Sequence, residues 1–236
     1  MPDIFGELRT KAQDRIAKQI FAAAKETDVQ LRAIGGPIAQ EYHCIALYGP
    51  LKDMGRASEK IGEECGGDWY ELKDVARMTI VAPDHAVALK VKMAIEKRCV
   101  ASQSMGLAKN EFQSTRAGYT GYNFVVRLQN GRLGEIQVNV PNVLYCKMSE
   151  KSFRELIGYT TFLNIKGKYG VRGGIGHALY ELIRTTKGSP EASNATSLSA
   201  RYYGYLGGFP NWSVGKTIDA ELGVFVKANP ALFIKH

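Results

Sequence analysis

Cysteine is scarce and scattered. Cys44, Cys65, Cys99 and Cys146 are the only four in 236 residues, and no Cys-x-x-Cys occurs. Thiols this far apart exclude a disulfide framework and lack the close ligand pair of a zinc site. They read as the reduced, buried cysteines of a cytosolic protein. An uninterrupted apolar run is missing from the N-terminal segment too. Ile4 to Lys25 carries Leu8, Ala12, Ile16, Ile20 and Ala23 on one stripe, with charges throughout. That pattern excludes a signal peptide or membrane span and predicts a covering amphipathic helix. Acids are outnumbered, 23 against 31 Lys and Arg, for a net charge of +8. The balance favours an anionic partner: nucleotides, nucleic acid or an acidic protein. No zinc-finger or RNA-recognition pattern and no internal repeat occurs. The dispersed basic residues argue against a dedicated nucleic-acid binder, although transfer RNA needs only a diffuse basic surface.

What is present is chemistry in a particular order. Asn130-Gly131 is a strong two-residue hairpin signal, and the strand after it reads Arg132-Leu-Gly-Glu-Ile-Gln-Val-Asn-Val140. Alternation puts Ile136, Val138 and Val140 on one face and Glu135, Gln137 and Asn139 on the other. A carboxylate fixed on a strand among polar neighbours suits metal binding or proton abstraction better than packing. A tight two-residue turn pairs Val126 with Glu135 and Phe124 with Gln137. It also turns Asn123 away from Glu135.

A second acid, Asp74, precedes a strand in which Met78, Ile80 and Ala82 alternate with Arg77, Thr79 and Val81. Asp84 then reads as the N-cap of a helix whose stripe is Val87, Val91, Ala94 and Ile95. Upstream, Lys52, Arg56 and Lys60 recur every four residues, which on a helix aligns three cations along one side. Such a track suits a polyphosphate. Two carboxylates nearby suit magnesium, which keeps most of its waters and needs only one or two protein ligands. Taken alone, the helix is an ordinary wet face neutralised by Asp53 and Glu59.

Gly49-Pro-Leu-Lys52…Arg56…Lys60, Lys73-Asp74-Val-Ala-Arg77, Gly118-Tyr119…Asn123, Glu135-Ile-Gln137 and Gly173-Gly-Ile-Gly-His-Ala-Leu-Tyr-Glu-Leu-Ile-Arg184 together resemble the synthetase domain of the RelA/SpoT family. The resemblance covers roughly residues 45 to 185. It implies an α/β (α+β) fold: a nucleotidyltransferase-like mixed β-sheet flanked by helices. It also implies a magnesium-dependent pyrophosphokinase moving the β,γ-pyrophosphate of ATP to a ribose 3′-hydroxyl. Carried over by position, Lys52, Arg56 and Lys60 would bind ATP phosphates, with Arg77 as a further phosphate contact. Asp74 would hold magnesium, and Glu135 would bind metal or take the acceptor's proton. Tyr119 would stack on the acceptor base, with Gln137 also on the acceptor side.

The departures concern the acceptor. Guanosine-alarmone synthetases usually carry arginine where Pro50 stands and serine where Arg56 stands. They have basic or polar residues ending in histidine where this chain has Thr120 to Asn123, and arginine and threonine where it has Asn139 and Val140. The Asp-Val-Ala-Arg-Met-Thr and Gly-His-Ala-Leu-Tyr-Glu forms look closer to toxin and effector branches. The acceptor is then a guanine or adenine nucleotide or a transfer RNA 3′ end, and an acidic immunity or antitoxin protein is an expected partner. The other reading is a nucleotide-binding regulator without turnover on the same scaffold.

The expected organisation is a single domain, 1–236. It comprises a helical cover over 1–44, a catalytic core over 45–185, and a loop with an aromatic, glycine-rich extension over 186–236. Gly35-Gly36-Pro37 is expected to break the chain before the core, and Lys187 to Ser199 to form a loop or linker. The aromatic run from Arg201 to Trp212 is expected to pack. His177 is expected in a buried structural hydrogen bond.

Overall fold

The structure, a computed structural model, describes residues 4–64, 67–101, 107–112, 116–208 and 211–233. The chain divides into two compact units, Met1–Glu111 with Tyr122–Val138, and Phe112–Gly121 with Asn139–His236.

The first unit begins with helices α1 (Ile4–Ala22) and α2 (Ala24–Glu41), then strand β1 (Ile45–Tyr48), helix α3 (Met54–Glu64) and a 3₁₀ turn at Trp69–Glu71. Strand β2 (Arg77–Val81), helix α4 (His85–Ala101) and strands β3 (Leu107–Phe112), β4 (Tyr122–Arg127) and β5 (Leu133–Asn139) follow. The mixed sheet runs β1-β2-β5-β4-β3. β1 pairs antiparallel with β2, Tyr48 opposite Met78, and β4 pairs antiparallel with β5. Asp84 caps α4 as expected, its Oδ1 accepting from the Val87 N–H at 2.8 Å. Val91 and Ile95 on the expected stripe are fully buried.

Met78, Ile80, Phe124, Val126, Ile136 and Val138 are all buried and form the apolar side of the sheet. Helix α2 covers that side with Leu31, Ile34 and Ile38. It runs straight through Gly35-Gly36-Pro37, against the expected break. A Cβ at Gly35 would collide with the Met78 thioether, so the glycine is there for close helix–sheet approach. Pro37 has no N–H for the carbonyl of Ala33, four residues back, and the Arg98 guanidinium donates to that oxygen at 3.3 Å instead.

The hairpin also differs by one residue. Leu128 N–H donates to Arg132 O at 2.8 Å and Gly131 N–H to Leu128 O at 2.9 Å, with Gly131 at φ 75°. This is a three-residue loop with glycine in the left-handed position, where a two-residue turn was expected. The register slips accordingly: Val125 faces Glu135, and Asn123 faces Gln137. Asn123 therefore lies on the Glu135 face, which corrects the expectation that it turns away.

The second unit is helical: α5 (Pro141–Lys147), α6 (Glu150–Leu156), α7 (Tyr159–Tyr169), α8 (Gly176–Thr185), α9 (Pro190–Gly207) and α10 (Trp212–Ala228). The expected linker at 187–199 is mostly the first half of α9. Ser189 caps it, accepting from the Ala192 N–H at 3.1 Å, and Pro190 takes the first helical position. The small residues Ala192, Ala195 and Ser199 are buried there. Of the aromatic run, Tyr202, Tyr203, Tyr205 and Leu206 are buried, while Trp212 is exposed and residues 209–210 lie outside the described residues. Tyr202 Oη donates to Arg172 O at 2.7 Å, Tyr205 Oη to Tyr169 O at 3.0 Å, and Tyr145 Oη to Val171 O at 2.8 Å. Cys99 and Cys146 are buried and Cys44 half-buried, all as free thiols, while Cys65 lies outside the described residues. Burial pushes the Cys146 thiol far up, so it is inert. His177 is not buried: its side chain is 40% exposed, 4.0 Å from Glu181, because it falls on the outer side of α8.

Asp219 of α10 accepts from the Arg172 N–H at 2.8 Å and from its guanidinium at 2.9 Å on each oxygen. Those hydrogen bonds outweigh desolvation and hold its carboxyl below the usual range. A depressed folded pKa adds stability that is present above the unfolded value of about 3.9 and is lost as pH falls through the folded one. Asp219→Asn is therefore expected to flatten part of the fall in denaturation midpoint below about pH 4. An acid limb identical to the natural chain's would show that the pair contributes nothing.

Candidate active site

Asp53 starts α3. Its Oδ1 accepts from the Gly55 N–H at 2.9 Å and its carbonyl from the Ala57 N–H at 2.9 Å. Lys52 consequently precedes the helix and does not share a helix side with Lys60, which corrects the alignment that the spacing predicts. The two lysines nevertheless converge. The Lys52 N–H donates to Val75 O at 3.1 Å and the Gly49 N–H to Arg77 O at 2.9 Å, laying this segment along the entrance to β2. Lys52 Nζ then reaches Asp74 Oδ2 at 2.7 Å, and Lys60 Nζ reaches the same oxygen at 3.1 Å from within α3. Arg56 lies in α3, and its side chain is outside the described residues.

Desolvation pushes the Asp74 carboxyl up, but hydrogen bonds and charge from Lys52 and Lys60 outweigh it, and its pKa is lowered. Asp74 is thus a carboxylate at neutral pH. Its side chain is 11% exposed, and its Oδ1 is buried without a hydrogen-bond partner. An orphaned carboxylate oxygen is costly unless something meets it.

Glu135 is carried by the strand next to β2. Its N–H donates to Ala76 O at 3.1 Å, two residues beyond Asp74. Its half-buried carboxylate accepts from Gln137 Nε2 at 3.0 Å on Oε2. Arg77 is exposed at the start of β2, on the side away from buried Met78 and Ile80. Lys52, Lys60, Asp74, Arg77, Glu135 and Gln137 thus belong to one unit, with Asn123 added by the corrected register. A three-residue loop is what the sequence reading lacked at Asn123.

Tyr119 belongs to the other unit and has its own surroundings. Its hydroxyl donates to Asn139 Oδ1 at 3.0 Å, and its ring meets Tyr203 edge to face at 6.0 Å. Asn139 is a polar residue with no assigned role in the sequence reading; the signal for it was the usual arginine that it replaces.

No family model matches the sequence. The (p)ppApp synthetase toxin Tas1 of Pseudomonas aeruginosa (strain UCBPP-PA14) is 31% identical over 187 residues, 79% of this chain. The chain spans 41% of that relative's length. The crystal structure of the Type VI effector Tas1 with its immunity protein matches with a TM-score of 0.68 at 29% identity, over 80% of this chain and 95% of that one. Over the matched residues the chain is RelA/SpoT-like. Small alarmone synthetase 2 from Bacillus subtilis, at 14% identity and a TM-score of 0.50 over 89% of this chain and 98% of that one, shares the fold of this RelA/SpoT-like chain.

Synthetases of this family generally use a divalent metal. Among the described residues no group of three or more His, Cys, Asp or Glu gathers to cage an ion. The donors fit magnesium all the same, which takes one or two carboxylates and completes its shell with water and phosphate. In the RelA/SpoT-like site those would be Asp74, through its orphaned Oδ1, and Glu135.

Proposed function

We propose that this chain is an ATP-dependent pyrophosphokinase of the toxin or effector type, acting on the 3′-hydroxyl of an adenine nucleotide. The observation that carries this reading is the convergence of Lys52 and Lys60 on Asp74, with Glu135 on the neighbouring strand. Two ammonium groups and two carboxylates are what a charged phosphoryl-type transfer requires of its protein. The likeness to a (p)ppApp synthetase toxin favours adenine over guanine in the acceptor.

In the reaction, Lys52 and Lys60 would leave Asp74 for the ATP phosphates, with Arg56 and Arg77 adding charge. Asp74 and Glu135 would hold magnesium, which when bound would supply charge neutralisation for the phosphates and the departing AMP. Glu135 would take the acceptor hydroxyl's proton as the 3′-oxygen attacks the β-phosphorus. The bond from that phosphorus to the bridging oxygen then breaks, and AMP departs. Tyr119 would stack on the acceptor base, and Gln137 would hold the Glu135 carboxylate in one orientation.

We place the chemistry within residues 45–185, in the cytosol of a target or producing cell. Among the described residues, no helix is long and apolar enough to cross a membrane. The net charge of +8 suits an acidic immunity protein as partner.

Incubation with magnesium and γ-labelled ATP tests this, with AMP, ADP, ATP, GDP, GTP and bulk transfer RNA supplied separately. Label on an adenine nucleotide, with AMP released in equal amount, is expected. Transfer to guanine nucleotides or to RNA would overturn the acceptor assignment alone. ATP binding with no transfer to any acceptor would return the chain to the regulator reading.

A further inference from the structure

Tyr119 is held from several directions. Its hydroxyl donates to Asn139 Oδ1 at 3.0 Å, its ring meets Tyr203 at 6.0 Å and 88°, and Lys147 Nζ lies 5.4 Å from its centroid. Gly121 leaves room for the contact: a Cβ there would stand 2.5 Å from Asn139 Oδ1 and 3.0 Å from Tyr119 Oη. Gly118, at φ 83°, fixes the backbone beside Tyr119. A Cβ on it would stand 2.7 Å from Ala200 Cα in α9. Any side chain at either glycine would disturb this arrangement.

Asn139 is 2% exposed, and its Nδ2 is buried without a partner. In either orientation of the amide, one polar group meets the Tyr119 hydroxyl and the other is left over. A buried amide half satisfied in this way is destabilising against an apolar residue of similar size. Packing alone gives no reason for asparagine at the end of β5.

We propose that Asn139 is a positioning residue for the acceptor, locking the Tyr119 ring through its hydroxyl into the orientation that receives a purine base. The inference rests on the pyrophosphokinase reading, in which Tyr119 stacks on the acceptor. A tyrosine ring fixed before the nucleotide arrives surrenders no rotamer freedom on binding, so the hydrogen bond appears as acceptor affinity. Asn139 bonds the Tyr119 hydroxyl and none of the lysines assigned to ATP, so ATP KM serves as the internal control.

The test measures acceptor KM, ATP KM and kcat on the full chain for Asn139→Ala, Asn139→Asp, Tyr119→Phe and the double variant Asn139→Ala/Tyr119→Phe. Loss of one hydrogen bond corresponds to about a 3–10-fold rise in acceptor KM. That rise is expected in Asn139→Ala and in Tyr119→Phe, with ATP KM unchanged. The double variant should be no worse than the poorer single one, because both remove the same bond. Asn139→Asp keeps an oxygen for the hydroxyl and should rescue acceptor KM.

Unchanged acceptor KM in Tyr119→Phe, independent effects that multiply, or an equal rise in ATP KM would each overturn the proposal. If Asn139→Ala does not fold, Tyr119→Phe and Asn139→Asp decide it, since neither leaves a cavity. Should the natural chain transfer to no acceptor, adenine-nucleotide affinity by calorimetry on the same variants replaces KM, and equal affinities overturn the positioning role. A natural chain that binds no adenine nucleotide overturns both readings.

Discussion

Glu135→Gln is expected to cut pyrophosphate transfer by about 10²–10⁴-fold, the contribution of a positioned general base, with ATP binding nearly unaffected. The substitution is isosteric and uncharged. The strand holding the residue is fixed by its own backbone bond, Glu135 N–H to Ala76 O at 3.1 Å, so β5 should not move. Gln137 Nε2, which donates to Glu135 Oε2 at 3.0 Å, can donate equally to the new amide oxygen. What disappears is the ability to accept a proton from the acceptor's 3′-hydroxyl and to neutralise a metal ion. Single-turnover kinetics beside an ATP binding isotherm separate these from a folding defect. A variant that turns over normally would remove Glu135 from the chemistry.

Asp74→Asn should produce the other large effect, and in two opposite directions. Metal-supported transfer should fall by at least about 10²-fold, on the scale of the several kcal/mol that a bound cation contributes. Binding of ATP without magnesium should hold or strengthen. The reason lies in the ion pairs: Lys52 and Lys60 now share one Asp74 oxygen at 2.7 and 3.1 Å. Phosphates must compete with that carboxylate for them, and asparagine removes the competitor. A binding isotherm in EDTA, run beside the magnesium-dependent rate, checks both halves. Weaker metal-free binding in the variant would mean that Asp74 chiefly holds the lysines in place.

The sequence displays the acids and the lysines of this site clearly but not how they meet. Asp74, Glu135, Lys52 and Lys60 stand out by type and order. The pairing of both lysines with Asp74 depends on where α3 begins, and Asp53 sets that start one residue after Lys52. The side of Asn123 turns on a single loop residue, because a strand alternates with period two and any slip inverts it. Strands β1 and β3 escaped the reading, β1 being only Ile45–Tyr48 with both ends exposed. Local composition misled in two places where tertiary contacts prevail. Arg98 supplies what Pro37 cannot give Ala33, and the small residues of α9 that look like linker are buried there. Tyr119 was legible as an aromatic between glycines, while Asn139 needed its neighbour's hydroxyl to acquire a meaning.

The hairpin tip has a further consequence during synthesis. Asn130 Nδ2 donates to Thr27 Oγ1 at 3.0 Å and its N–H to Gln30 Oε1 at 3.3 Å, spans of 103 and 100 residues. At the usual rate of roughly 5–20 residues per second, α2 leaves the ribosome about 5–20 s before the hairpin that tethers it. For that interval its stripe of Leu31, Ile34 and Ile38 has at most the β1–β2 pair to cover. A nascent chain in this state is a natural client for a chaperone, and it stays without its β5 carboxylate until the last sheet strand emerges.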